Sequence, residues 1–95
     1  MMKNLKTQMY KIVQIIDKNS NPKPLPAEHG DLIGKFVWDN YTNKIEIGYP
    51  CFFLWNDNSG KMMRTSRVEE VLELEYTHQI LVTTQNSVYL FTEVD

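Results

Sequence analysis

The sequence has few of the residues on which protein chemistry most often depends. Its single cysteine, Cys51, excludes an internal disulfide and suits a reducing compartment. The two histidines, His29 and His78, are 49 positions apart, and no second pair of ligands stands at metal spacing. The four glycines form no phosphate-binding fingerprint. We therefore expect no metal, no cofactor and no enzymatic activity.

Long apolar segments are also absent. No run approaches the ~18 apolar residues of a membrane helix, and the lysines at positions 3 and 6 are not followed by the apolar block of a secretory signal. We expect a cytoplasmic protein with no membrane partner. A chain of 95 residues suits a single domain over residues 1–95, in which residues 1–8 are expected to be frayed.

Charge is spread unevenly along the chain. Residues 1–30 carry five lysines against two acidic residues, whereas residues 31–95 carry five basic against ten acidic residues. A nucleic-acid module usually needs clustered lysine and arginine over its folded part. The acidic balance of residues 31–95 therefore disfavours nucleic acid as a partner.

The sequence is rich in residue patterns that are typical of β-strands. Aromatic residues make up 12% of the chain, and they fit the half-buried surface of a sheet. Residues 79–91 alternate about a polar turn at Gln85-Asn86-Ser87, which predicts a hairpin with two apolar arms. Residues 51–66 predict a second hairpin about the turn at residues 56–60.

Two segments are ambiguous. Residues 5–17 match helical spacing, yet their β-branched and aromatic content favours a strand from Met9 to Asp17. Thr65 or Ser66 can cap one helical turn that begins near Arg67, before a strand from Val71. Between these segments, residues 31–38 predict a strand in which Gly34 marks a bulge or a close backbone approach.

These elements predict an all-β fold of about six short strands, with at most one helical turn. Turns recur every 8–12 residues and no long helix is indicated. Such a pattern is typical of a small antiparallel SH3-like barrel or β-roll.

Three short motifs of turn and strand residues occur within residues 31–91: Leu32-Ile33-Gly34-Lys35, Met63-Arg64-Thr65-Ser66-x-Val68 and Val82-x-Thr84-x-Asn86-Ser87-x-Tyr89. In these motifs, which span most of that range, the chain resembles short, uncharacterised proteins of phages and mobile elements of Gram-positive bacteria. The resemblance implies a small accessory protein that acts on a host factor, and it assigns no active site.

Cys51 and a group of four glutamates are candidates for catalytic residues, but each is explained more simply by a non-catalytic role. Cys51 stands beside Phe52 and Phe53 in a strand, which indicates a buried structural thiol rather than a nucleophile. The glutamates at positions 69, 70, 73 and 75 have no local histidine, which favours a solvated outer face over an acid/base site.

The aromatic residues give the best candidate for a binding site. Phe52 and Leu54 share one face of a strand while Phe53 and Trp55 share the other, so one set is exposed or the sheet is covered on both sides. If Phe53 and Trp55 face outward, a homodimer follows. Which tryptophan is exposed stays open. The predicted binding residues are Trp38, Tyr49, Trp55, Met62, Arg64 and Arg67.

The sequence therefore predicts a non-enzymatic binding protein, an accessory protein that binds and modulates a host protein as inhibitor or adaptor. The alternative is a barrel that binds single-stranded nucleic acid through exposed aromatics and Lys35, Lys61, Arg64 and Arg67. A barrel that binds a small molecule or nucleotide is the third possibility.

Overall fold

The computed structural model describes residues 8–26, 32–37 and 45–94. In these ranges the chain forms six strands: β1 (Met9–Asp17), β2 (Ile33–Val37), β3 (Pro50–Trp55), β4 (Met62–Leu74), β5 (Gln79–Thr84) and β6 (Ser87–Val94). Each strand pairs antiparallel with the next, and β6 pairs with β1, so the sheet closes into a barrel. The prediction of an all-β antiparallel barrel of about six strands is confirmed. No helix long and apolar enough to cross a membrane occurs in these ranges.

The segment with helical spacing is the strand β1, and a β-bulge explains its pattern. Tyr10 and Ile12 are buried, and the next buried residue is Ile15 rather than Gln14. The register with β6 shifts between Ile12 and Gln14, because one extra residue is inserted there. A bulge in a strand thus produces the three-residue step that otherwise indicates a helix.

The predicted helical turn near Arg67 is wrong, because this region belongs to the long strand β4. Its buried residues Thr65 and Val68 are three positions apart, and the partly buried Val71 follows after three more. Register shifts lie between Pro50 and Phe52 in the pairing with β3, and between Val68 and Glu70 in the pairing with β5. These irregularities bend β4 from one side of the barrel to the other, and they again imitate helical spacing.

An aromatic cluster fills the barrel. The Phe36 ring lies 4.9 Å from the Phe91 ring, 5.4 Å from the Phe53 ring and 5.1 Å from the Tyr10 ring, in tilted or edge-on geometry. Such arrangements are the favourable ones for aromatic pairs. The cluster connects β1, β2, β3 and β6 across the interior of the barrel.

Gly34 makes this packing possible. A Cβ atom at this position would lie 2.7 Å from Cε2 of Phe53 and closer still to the carbonyl oxygen of Leu54. The predicted close backbone approach at Gly34 is therefore confirmed. Because only glycine fits here, Phe53 can turn inward behind β2.

The ends of β1 and β6 lie together. Nε2 of Gln8 donates hydrogen bonds to the carbonyl oxygens of Met9 (3.0 Å) and Val94 (3.2 Å). Of residues 1–8, for which fraying is predicted, only Gln8 is among the described residues.

Candidate functional site

The structure separates the predicted binding residues. Trp55 is only 5% exposed and packs edge-on against Phe53, with 5.4 Å between ring centroids. The prediction that Trp55 anchors a partner at the surface is therefore corrected, because Trp55 belongs to the core. The outward orientation of Phe53 and Trp55, on which the predicted homodimer depended, is not found. Trp38 lies outside the described residues.

The other four predicted residues lie on the barrel surface. Tyr49 is 59% and Met62 is 53% exposed, and Arg64 and Arg67 are also exposed. Three of them, Met62, Arg64 and Arg67, belong to β4, and Tyr49 directly precedes β3. The hairpin predicted for residues 51–66 is what brings them together, and Trp55 N donates to Lys61 O (3.1 Å) at its turn.

Strand register arranges these residues in cross-strand rows on one surface. In the first row, Lys35 on β2 pairs with Leu54 on β3, and Leu54 pairs with Met62 on β4. The second row runs in the same way from Val37 through Phe52 to Arg64. The third consists of the pair Pro50 and Arg67. Paired residues project from the same side of a sheet. We call these eight residues the β2–β4 outer face.

Arg64 is held on this face by an aromatic ring. Its guanidinium carbon lies 5.9 Å from the centroid of the half-buried Phe52 ring. A cation over a ring at a solvent-exposed site contributes about 0.5–1 kcal/mol. The contact therefore orients the Arg64 side chain before any partner arrives.

A turn fixes Tyr49 at the end of the β2–β4 outer face. The amide of Gly48 donates to Val68 O (2.8 Å), and the amide of Val68 donates to Tyr49 O (2.9 Å). Gly48 has a φ of 96°, a left-handed conformation that favours glycine. The backbone before β3 is thus tied to β4, and the exposed Tyr49 directly precedes the pair formed by Pro50 and Arg67.

Electrostatically, the β2–β4 outer face is cationic. It carries Lys35, Arg64 and Arg67, and none of its eight residues is acidic. Carboxylates lie elsewhere: Glu69 and Glu70 further along β4, Glu73 and Glu75 where β4 ends, and Glu93 near the end of β6. The acidic total of residues 31–95 hides this separation, because a summed charge carries no information on position.

At the end of the barrel where β4 leads into β5, side chains line a cavity of about 210 Å³ that is open to solvent on one side. We call it the mouth cavity. It is lined by Tyr10, Glu73, Leu74, Glu75, His78, Gln79, Ile80 and Glu93. Nδ1 of His78 lies 3.0 Å from Oε2 of Glu93, whose side chain is only 11% exposed.

The Tyr10 hydroxyl lies buried among these groups. It makes no hydrogen bond to any residue that the structure describes. Burial, together with the negative charges of Glu93 and Glu73, raises the pKa of this phenol well above its ordinary value. Tyr10 is therefore a neutral phenol at physiological pH.

Sequence reasoning missed the mouth cavity, although a signal for it was present. Glu73 is exposed, as expected of a solvated glutamate, but it pairs with the buried Ile80 and so stands on the inner side of the barrel rim. Glu93 likewise follows the inward residues Tyr89 and Phe91 in alternation. A glutamate that continues an inward-facing series at a strand end is the pattern that indicates a polar barrel mouth.

Cys51 is fully buried, and burial raises the pKa of its thiol to about 12. Its amide donates to Oγ1 of Thr65 (2.9 Å) behind the β2–β4 outer face. A protonated, inaccessible thiol is a poor nucleophile. Across the residues that the structure describes, no three histidine, cysteine or acidic side chains are grouped as metal ligands.

No protein-family model, no curated protein and no solved structure matches this chain.

Proposed function

We propose that this chain is a non-enzymatic binding protein that docks on another protein through the β2–β4 outer face. The observation that carries the proposal is the oriented Arg64–Phe52 pair within a surface of Leu54, Met62 and Val37. Protein interfaces are enriched in arginine, methionine and aromatic residues and depleted in acidic ones. The composition of this face follows that preference.

The charge of the face indicates the kind of partner. Lys35, Arg64 and Arg67 surround apolar side chains with no carboxylate among the eight residues. An acidic partner surface with an apolar centre is complementary to this arrangement, and opposite charges accelerate association. As the family resemblance implies, we propose a cytoplasmic host protein as that partner, and modulation of its activity as the result.

The face is also suited to binding because it is built on strands. Six of its eight residues occupy registered positions in the two rows across β2, β3 and β4. Side chains on a rigid sheet lose less conformational freedom on binding than side chains on a mobile loop.

The test compares capture by the wild type with capture by charge-reversal variants. Immobilised protein is exposed to a Gram-positive bacterial lysate, and bound proteins are identified by mass spectrometry. A protein that binds this face should be captured by the wild type and by Lys11→Glu, but not by Arg64→Glu. The Lys11→Glu variant makes the same two-unit charge change at an exposed position on β1.

Binding to the captured partner is then measured with Arg64→Ala. We expect affinity to fall roughly 5- to 30-fold, corresponding to about 1–2 kcal/mol for an interface arginine. Melting temperatures must be nearly unchanged, because exposed substitutions usually alter stability by less than ~0.5 kcal/mol. Partners that bind the wild type and Arg64→Glu equally well would contradict the proposed face.

A second function is favoured by one observation, the grouping of three cations with the exposed Tyr49 and the half-buried Phe52. Single-stranded nucleic acids bind to surfaces that combine stacking rings with phosphate contacts. The test is fluorescence anisotropy with an oligothymidine at increasing salt. Three phosphate contacts predict a slope of roughly −2 in a plot of log affinity against log salt. Absence of binding at low salt would exclude this function.

A further inference from the structure

The mouth cavity has a polar lining because of the way the barrel closes. Antiparallel pairing places Tyr10 of β1 directly opposite Glu93 of β6, and pairs Glu73 of β4 with Ile80 of β5. Tyr10 and Ile80 are buried, so the two paired glutamates are on the inner side of the sheet. Two carboxylates from different strands thus stand at one barrel end above a buried phenol.

The Tyr10 hydroxyl is the group that indicates a ligand. The Tyr10 side chain is 0% exposed and lines the cavity, and its oxygen has no hydrogen-bond partner among the residues that the structure describes. Buried polar atoms without a partner are rare in folded proteins, and each one requires an explanation. A bound molecule that forms a hydrogen bond with this hydroxyl provides one.

The charges around the cavity indicate what that molecule carries. The described lining has three carboxylates, Glu73, Glu75 and Glu93, and contains no lysine or arginine. His78 is engaged with Glu93, 3.0 Å away. A neutral phenol oxygen beside glutamates accepts hydrogen bonds and favours positive charge, so an anion is disfavoured here.

The volume of the cavity and the apolar part of its lining further limit the kind of ligand that it can bind. The cavity volume of about 210 Å³ lies below the roughly 300–1,000 Å³ of sites for drug-sized ligands, so it suits a small head group. Leu74 and Ile80 provide an apolar wall. The described carboxylates do not form a metal-ligand group, and calcium requires six to eight oxygen ligands.

We propose that the mouth cavity binds a primary ammonium group carried on an aliphatic chain. The ammonium donates hydrogen bonds to the Tyr10 oxygen and to the Glu73 carboxylate, and the chain lies against Leu74 and Ile80. A free aliphatic amine and the side chain of a lysine in a peptide share this chemistry. The site is separate from the β2–β4 outer face and does not depend on the function proposed for that face.

The experiment is an NMR titration of the full chain, followed through the backbone amides of His78, Gln79 and Ile80. The probes are n-pentylammonium chloride and a peptide with blocked ends and one central lysine. For so small a ligand we expect a Kd of about 1 mM. Sodium chloride at equal ionic strength and n-pentanol, the uncharged analogue of similar length, are the controls and produce no saturable shift. Tighter binding of the peptide identifies a lysine side chain as the ligand, and tighter binding of the amine identifies a small molecule.

Two variants test the assigned contacts. Glu73→Gln and Tyr10→Phe should each weaken n-pentylammonium binding by roughly tenfold, since the first removes the opposite charge that assists the hydrogen bond and the second removes the hydrogen bond to the phenol oxygen. The matched control is Glu69→Gln, which makes the same change at an exposed glutamate that pairs with Lys18 (3.0 Å) and should leave the affinity within about twofold.

Three results would overturn the proposal. The first is no saturable shift with either probe at roughly 10 mM, tenfold above the expected Kd. The second is equal loss of affinity in Glu69→Gln and Glu73→Gln, which would indicate attraction to net charge rather than a site. The third is a Tyr10→Phe variant that binds as tightly as the wild type. Glu73→Gln alters an exposed side chain and keeps the test decisive if Tyr10→Phe does not fold.

Discussion

Replacing Gly34 by alanine tests the strand register that builds the β2–β4 outer face. The new Cβ would lie 2.7 Å from Cε2 of Phe53 and nearer still to the Leu54 carbonyl oxygen, whereas carbon–oxygen contacts in sheets are about 3.3–3.6 Å. Strand β3 must therefore move away from β2 by roughly 1 Å. This movement strains the hydrogen bond from Asn56 N to Ile33 O, which is 2.8 Å long.

The cost of this change follows from three contributions. Overpacking of a filled core costs about 1–3 kcal/mol, and a lost backbone hydrogen bond costs about 1 kcal/mol. Alanine also lowers the conformational entropy of the unfolded chain, which offsets this destabilisation by about 0.4–1 kcal/mol. We therefore expect Gly34→Ala to lower the free energy of unfolding by about 2–3 kcal/mol, and the Tm by roughly 10–20 °C for a domain of this size.

The assay is urea unfolding followed by tryptophan fluorescence, which reports on the buried Trp55, with circular dichroism as a second probe. Lys35→Ala is the matched control, because it alters the adjacent, outward-facing residue and should change stability by less than ~0.5 kcal/mol. A free energy of unfolding for Gly34→Ala within ~0.5 kcal/mol of the wild type would refute the β2–β3 register and with it the rows of the proposed face.

Two further predictions concern single ionisable groups. Cys51 should resist iodoacetamide at neutral pH in the folded protein and react once urea unfolds it, because burial raises its pKa to about 12; rapid labelling of the native protein would contradict its burial. Hydrogen bonds from the amides of Asn21 (2.9 Å) and Asn19 (2.8 Å) lower the pKa of Asp17 below its ordinary value of 3.8. The resulting stabilisation is complete above the unfolded-state pKa and is lost as pH falls toward the folded-state pKa. Tm should therefore fall more steeply below about pH 4 in the wild type than in Asp17→Asn, and equal slopes would show that this carboxylate does not contribute.

The sequence was informative where local pattern and turn chemistry agree. The last hairpin follows directly from its alternation and from the predicted turn at Gln85-Asn86-Ser87: β5 ends at Thr84, and β6 begins at Ser87, the last residue of that turn. The hairpin of β3 and β4 was predicted for the same reason. Bulges are harder to predict, because an inserted residue in β1 or β4 resets the alternation and imitates a helix.

The orientation of β3 could not be predicted from its own residues. Phe52 and Leu54 are as apolar as Phe53 and Trp55, so alternation defines two faces without stating which one is inside. Packing with distant residues decides which face of β3 points inward. The Phe53 ring contacts the rings of Phe36 and Phe91, and it lies so close to Gly34 that a side chain there would leave it no room. The predicted role of Trp55 was wrong for this reason.

The mouth cavity could not be predicted from the sequence, for a related reason. Tyr10 and Glu93 are far apart in the chain and become neighbours only through the pairing of β1 with β6. The four exposed predicted residues, by contrast, lie within residues 49–67, where one hairpin and its preceding turn set their positions. Sequence reasoning therefore located three of the eight residues of the outer face, together with the adjacent Tyr49, and missed the cavity.

The closure of the barrel also determines when the chain can fold during synthesis. Strand β1 pairs with β6 along nearly its whole length, but, among the residues that the structure describes, with β2 only at Tyr10 and Lys11. A nascent chain that has not yet released Ser87–Val94 from the ribosome leaves most of β1 without its main partner, and Ile12 and Ile15 without the strand that covers them. Because domains fold as units, this one must wait for its last strand, and a message truncated before β6 yields a polypeptide with exposed apolar surface. Such a product is a substrate for chaperones and proteases rather than a partially active protein.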